Sequence, residues 1–325
     1  LFNYNFMKIT IITPAKKGDR SGNRATANRW SIVLKKLGHK PRTLTEYDGE
    51  PSDAMLAIHA WRSAGAIEQY HEVFPTGPLI LCLAGTDIYR FQESHPKETL
   101  RSMELADLLV CLHDLVGHSI PKSQRSKLHV IRQSAAPLKR QTPLAREFEI
   151  MVAGHLRDEK DPFRAAMAVR GLDTRYKTRI VHMGKAIEPS FAKSAEKEMR
   201  ENTRYQWLGE IPHWRVRQRM ARARAMVISS RMEGGANVVS EAIMAGLPVI
   251  ASKIDGNVGL LGADYEGYYP VEDQNALRAL LIRLEDDPKF LKRLATQIHA
   301  LKPMFTEQRE LAEWKRVLSS LNQPE

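Results

Sequence analysis

Glu233-Gly234-Gly235-Ala236-Asn237-Val238-Val239-Ser240-Glu241, running on into Ala242-Ile243-Met244-Ala245-Gly246-Leu247-Pro248-Val249-Ile250-Ala251-Ser252, decides how this chain is read. The apolar run Ala225-Met226-Val227-Ile228 before it suits a buried parallel strand, so the glycines fall where a strand turns into a helix. Such a turn binds anions: the first helical amides lack intrahelical partners, the helix dipole adds positive potential, and glycines let the backbone approach a phosphate. A carboxylate beside a phosphate is repelled, so the two acids need other partners. Sugar hydroxyls supply them, because one carboxylate accepts two hydrogen bonds from a diol. One acid on each side of a diphosphate therefore matches the two sugars of a nucleotide sugar. The competing reading is a plain strand-turn-helix with a solvated glutamate at each end, and the rest of the chain has to choose.

A length of 325 residues suggests two domains and supports large buried cores. No stretch is long and apolar enough to span a membrane, and residues 1–6 lack the basic region and apolar core of a signal peptide. A cytoplasmic protein with no membrane partner is expected. Only Cys82 and Cys111 occur, each in an apolar run, which excludes a disulfide framework and makes both core residues rather than nucleophiles. The net charge of +11 calls for an anionic partner. The basic residues lie on loops and helix faces, without an aromatic-interleaved sheet motif or a recognition helix, so small anionic substrates are expected rather than nucleic acid. No Asp-x-Asp pair falls at a ligand-binding turn, Asp286-Asp287 reads as a helix cap, and the histidines lack paired metal-ligand spacing, so no metal site is expected.

Strand-like runs alternate with helical patterns in the manner of doubly wound parallel sheets. In the first half the expected strands are 9–13, 54–59, 79–83, 108–112 and 129–131, with helices over 26–37, 62–74 and 97–106. A basic, proline-containing stretch, 137–143, reads as a linker. The pattern then restarts, with strands over 148–153, 178–182, 204–208, 225–229 and 248–251. Helices are expected over 161–170, 191–202, 213–223, 238–245, 275–285 and 288–300.

Glu233 and Glu241 resemble the Glu-x7-Glu signature of the retaining glycosyltransferases with the two-domain GT-B fold. The resemblance implies an α/β protein of two Rossmann-like domains facing across a cleft, with a C-terminal helix returning to the N-terminal domain. It places the N-terminal domain at 1–140, the nucleotide-sugar donor domain at 141–305 and the returning helix at 306–325. It implies that Glu233 lies near the transferred sugar, that Glu241 holds the nucleotide ribose, and that Gly234, Gly235, Ala236, Asn237 and Val238 line the donor. Those enzymes usually read Glu-Gly-x-Gly; here Gly235 fills the variable place and Ala236 the second glycine.

Three more turns follow strands, where open α/β sheets bind ligands. The first is the basic loop 13–24, opening a helix with Gly22, Asn23 and Arg29, and carrying Lys16, Lys17, Arg20 and Arg24. The second is Gly85-Thr86-Asp87-Ile88-Tyr89-Arg90, where Asp87 fixes the sugar or orders the basic loop, or else caps the next helix, and Arg90 contacts an anion. The third is Gly154-His155-Leu156-Arg157-Asp158-Glu159-Lys160. The retaining enzymes carry an arginine after this glycine and a lysine five residues later; here His155 takes the arginine's place, so Arg157 and Lys160 form the cationic pair for a leaving diphosphate.

Gly154-His155-Leu156-Arg157 with Lys160-Asp161-Pro162, the run from Glu46 through Ala64, and Gly85 to Arg90 together resemble one branch of this superfamily, the selenosugar synthases of selenoneine biosynthesis. The resemblance runs from about Met7 through the Glu-x7-Glu region. It implies transfer of a hexose from UDP-N-acetylglucosamine or UDP-glucose to selenophosphate, forming a carbon–selenium bond without a cofactor or metal. Thr86, Asp87, Arg90, Gly22, Asn23 and Arg29 then stand on the acceptor side. Pathway neighbours would be a selenophosphate supply and a selenoneine-forming enzyme. Selenium is already a polarisable nucleophile, so no general base is assigned. The alternatives are a GT-B enzyme with an ordinary oxygen acceptor, a nucleotide-sugar epimerase and, from another class, a basic nucleic-acid-binding protein.

Overall fold

The computed structural model describes residues 6–19 and 21–321. The chain forms two units: residues 1–133, 233–236 and 307–325 make the first, and 134–232 with 237–306 the second.

The first unit holds a parallel six-stranded sheet of β1 (Lys8–Ile12), β2 (Lys40–Leu44), β3 (Ala54–Ile58), β4 (Leu79–Cys82), β5 (Leu108–Cys111) and β6 (Leu128–Val130). Their order is β2-β1-β3-β4-β5-β6, which reverses between β1 and β3. Strands β3 and β4 are buried at every residue, as a sheet covered on both faces requires. One core layer contains Met55, Tyr70, Leu81 and Met103; the other contains Ile9, Trp30, Leu34 and Ile80. Trp314, Val317 and Leu318 of the helix Glu307–Ser320 belong to this second layer, with the Trp314 ring 4.9 Å from that of Trp30 and edge-on to it.

The second unit repeats the plan with β7 (Phe148–Ala153), β8 (Thr178–Met183), β9 (Tyr205–Trp207), β10 (Ala225–Ile228), β11 (Val249–Ser252) and β12 (Tyr268–Tyr269). Its parallel order, β12-β11-β10-β7-β8-β9, is that of a dinucleotide-binding sheet and reverses between β7 and β10.

Most expected elements form, with instructive differences. Strand β2 was not expected: Lys40-Pro41-Arg42-Thr43-Leu44 is polar because it is an edge strand with no buried residue. The first helix begins at Gly22 rather than 26, with Ser21 ahead of it making no side-chain cap. The helix expected over 161–170 spans only Arg164–Val169, because Asp161 takes a left-handed conformation (φ 43°). Asp255–Leu261 is helical despite its two glycines. Asp287 caps Pro288–Leu301 by accepting from Phe290 N at 3.0 Å, while Asp286 accepts from the Tyr176 hydroxyl at 2.9 Å.

Candidate active site

Open α/β sheets bind ligands at the carboxyl ends of their strands, where the strand order reverses. In the second unit that point lies between β7 and β10, where the turn 154–161 and the residues after Ile228 stand.

The turn after β7 is pinned at nearly every residue. Gly154 N donates to Met183 O at 3.0 Å, Leu156 N to Lys185 O at 2.9 Å, and Ile187 N to Leu156 O at 3.1 Å. His155, which stands where the retaining enzymes carry an arginine, accepts from Lys185 N through Nδ1 at 3.1 Å. Beyond it, Ser229 Oγ donates to the carbonyls of Lys160 (3.0 Å) and Asp161 (2.9 Å), and Arg231 N donates to Glu159 O at 2.8 Å. The Arg231 guanidinium binds Asp158 Oδ1 at 2.9 Å and Glu272 Oε1 at 2.7 Å. Two turns at the reversal point are thus one hydrogen-bonded body that fixes the backbone under Arg157 and Lys160. Arg157 remains 41% exposed, its Nε 3.8 Å from Glu159 Oε2.

Glu241 lies on the helix Asn237–Ala245, whose first residues are Asn237 and Val238, so their amides belong to the end where an anion is favoured. Asn237 and Glu241 are four positions apart and share a helix face. His213 Nε2 meets Glu241 Oε1 at 3.0 Å.

Before that helix, Glu233–Ala236 belongs to the first unit, and Glu233 is buried there. The glycines have a specific reason to be glycines. A Cβ on Gly234 would stand 2.4 Å from Ala84 O, and one on Gly85 2.4 Å from Gly234 N; Gly235 abuts Leu112. The near neighbours that exclude side chains here are protein atoms, backbone at Gly234 and Gly85 and the Leu112 side chain at Gly235, a packing role beside the phosphate role read from sequence.

In the same unit, Asp87 is wholly buried and its carboxylate accepts from Ala60 N (2.9 Å), Ala84 N (3.0 Å) and Gly85 N (2.7 Å). It clamps the turns after β3 and β4 together. Thr86 Oγ1 lies 2.9 Å from His59 Nε2. Arg90 is exposed, its guanidinium 5.6 Å from the Phe91 ring centre, and Arg62 is 5.7 Å from the same ring. Gly22 and Asn23 form the first turn of Gly22–Lys36. Arg29, on that helix, pairs with buried Glu310 at 3.6 Å, and Glu310 also accepts from Trp30 Nε1 at 3.1 Å. Lys16 and Lys17 are exposed, Arg24 reaches Ala15 O at 3.5 Å, and Arg20 lies outside the described residues.

Burial raises both cysteine thiols, Cys111 to about 12, in keeping with core roles. Among the described residues no group of three or more His, Cys, Asp or Glu stands ready to hold a metal, and no helix is long and apolar enough to cross a membrane. Sequence reasoning missed His213, Ser229 and Arg231. Glu272 and Asp158 are 41 and 73 residues from Arg231, so nothing local announces these contacts.

A family model described as glycosyl transferases group 1 matches residues 137–300. A comparison with curated proteins finds no match. Among solved structures, HepE of Anabaena, in complex with UDP and glucose, superposes with a TM-score of 0.76 at 16% identity, covering 97% of this chain and 100% of that one. Sucrose-phosphate synthase of Thermosynechococcus elongatus gives 0.77 at 15% identity, covering 97% and 98%. The pneumococcal O-GlcNAc transferase GtfA, in complex with UDP and GlcNAc, gives 0.61 at 16% identity, covering 91% of this chain and 61% of that one. These likenesses show the fold, two Rossmann-like α/β domains of the GT-B type.

Proposed function

The chain belongs to the glycosyl transferases group 1 family, and we propose that it transfers a hexose from a UDP-sugar to selenophosphate, forming a selenosugar. The observation that carries the donor half is the pinned turn 154–161, which places two cations where the sheet order reverses, next in that sheet to the strand leading into the Glu241 helix. UDP is bound by HepE and GtfA, with glucose and GlcNAc respectively, which supports UDP-glucose or UDP-N-acetylglucosamine as donor.

In this reading Glu241 binds the ribose diol and Glu233 orients the hexose. Arg157, Lys160 and the amides of residues 234–238 take up charge as the anomeric carbon–oxygen bond breaks and UDP leaves. A selenium lone pair forms the carbon–selenium bond, and water then cleaves selenium from phosphorus, releasing inorganic phosphate and the selenosugar. No metal or cofactor is assigned, since the two cations and the helix amides serve the leaving group. Selenophosphate as acceptor is supported by the motifs at residues 46–64, 85–90 and 154–162 and by the basic residues of the first unit, Lys16, Lys17, Arg24 and Arg90. Two free, buried cysteines suit a reducing cytoplasm, which reduced selenium also needs. The partners are thus small anions, with a selenophosphate source before this step and a selenoneine-forming enzyme after it.

The test is to incubate purified protein with UDP-N-acetylglucosamine or UDP-glucose, with and without selenophosphate, under anaerobic conditions. UDP release and products are followed by mass spectrometry. Selenophosphate-dependent UDP release together with a hexose bearing the selenium isotope pattern is expected. Active protein that makes no selenosugar overturns the acceptor, and a product formed with a sugar hydroxyl identifies the ordinary oxygen acceptor instead.

A further inference from the structure

His182 lies inside β8, a buried strand where an apolar residue would cost less, and it is 1% exposed. Both ring nitrogens are used. Nδ1 is 3.1 Å from the Tyr205 hydroxyl of β9, and Nε2 is 3.0 Å from the carbonyl oxygen of Gly154, the first residue after β7. The carbonyl can only accept, so Nε2 carries the proton, and Nδ1 accepts from the tyrosine. A relay of fixed polarity therefore runs across three strands and ends on the turn that carries Arg157 and Lys160.

This grip has a directional consequence. In a trans peptide the carbonyl and the following amide point in opposite directions. Holding Gly154 O against His182 aims the His155 amide away from β8. Gly184 keeps the approach open, since a Cβ there would fall 1.9 Å from the same oxygen. We propose that His182 is a positioning residue for the donor diphosphate, which sets the Gly154–His155 peptide so that the turn presents its amide and cations to the phosphates. The proposal rests on the donor reading above and adds to it a residue that does not touch the ligand.

The test is calorimetric binding of UDP and of uridine to the intact protein and to H182F, H182Q and Y205F. UDP carries the phosphates and uridine does not, so a residue that acts on the phosphate turn separates the two, whereas general damage moves both. H182F is expected to weaken UDP about tenfold, the size of one lost oriented hydrogen bond, with uridine unchanged. H182Q, whose amide can donate to Gly154 O, recovers most of the loss. Y205F, which frees the tautomer but keeps the ring, falls between and reports on the relay if H182F does not fold. Equal weakening of UDP and uridine, or unaltered UDP binding by both H182F and Y205F, overturns the proposal while leaving the donor reading intact. Failure of the wild-type protein to bind UDP overturns the donor reading, and this proposal with it.

Discussion

His213 Nε2 and Glu241 Oε1 stand 3.0 Å apart in the second unit, the histidine side chain 67% exposed and the glutamate only 16%. The imidazole, on the first residue of His213–Arg222, engages one oxygen of the carboxylate proposed to hold ribose. Glu241→Ala is expected to weaken UDP about 10- to 100-fold, the worth of a hydrogen bond to a charged group. His213→Ala should cost no more than about fivefold, as an exposed pair does. Titration with UDP and its 2′,3′-dideoxy analogue decides: if Glu241→Ala weakens both equally, the carboxylate does not read the ribose.

Lys160 offers its charge from a turn whose carbonyls are held by Ser229. Lys160→Ala is expected to lower turnover by roughly two to three orders of magnitude at saturating substrates, the usual cost of removing a preorganised charge from a transition state. Single-turnover measurement of UDP release checks it, and an unchanged rate would remove Lys160 from the chemistry.

Two glycines near that turn should respond in opposite ways. A Cβ on Gly154 meets nothing within 4 Å, whereas one on Gly184 collides with Gly154 O at 1.9 Å. Gly184→Ala is expected to destabilise by about 1–3 kcal/mol, and Gly154→Ala by much less. Denaturant titration of the two variants side by side measures the contrast; comparable losses would mean that the turn yields more easily than its hydrogen bonds imply.

Burial holds the His182 imidazole down to about 4, against an ordinary value of 6.5, with its bond to Gly154 opposing the shift only in part. The unfolded chain therefore binds a proton on this residue below pH 6.5, and the folded chain binds one only near pH 4. Stability is lost as pH falls through that window, by about 3 kcal/mol in all. Denaturation midpoints for wild type and H182Q from pH 7 to pH 4 should show this component in the first protein and not in the second.

Trp314 is fully buried against Trp30. Trp314→Ala is expected to cost about 3–5 kcal/mol, as large aromatic truncations in a core do. Urea unfolding followed by tryptophan fluorescence measures it, and a loss under about 1 kcal/mol would show that the core refills the space.

What could be read in the sequence was whatever repeats locally. Strands β3, β4 and β10 are runs of apolar residues because both faces are covered, and they stand close to where the runs put them. Strand β2 escaped because an edge strand need not be apolar, and Asp255–Leu261 because glycines conceal helical propensity. Glu233, Glu241, Arg157 and Lys160 stand as candidates because motifs are local in sequence. The contacts of Ser229, Arg231, His182 and His213 could not, since each joins elements brought together by the sheet order alone. Asp87 lies between: the sequence allows a sugar contact, a tie to the basic loop or a helix cap, and in the structure both oxygens accept from backbone amides of two turns.

The helix Glu307–Ser320 adds Trp314, Val317 and Leu318 to a core whose other members come from the first 131 residues. During synthesis the early strands leave the ribosome long before this helix exists, so Trp30 and Leu34 wait uncovered while the second unit is translated. The first unit to begin is thus the last to be finished. A lesion in this helix would therefore surface far from itself in sequence, as an exposed patch around Trp30 and Leu34.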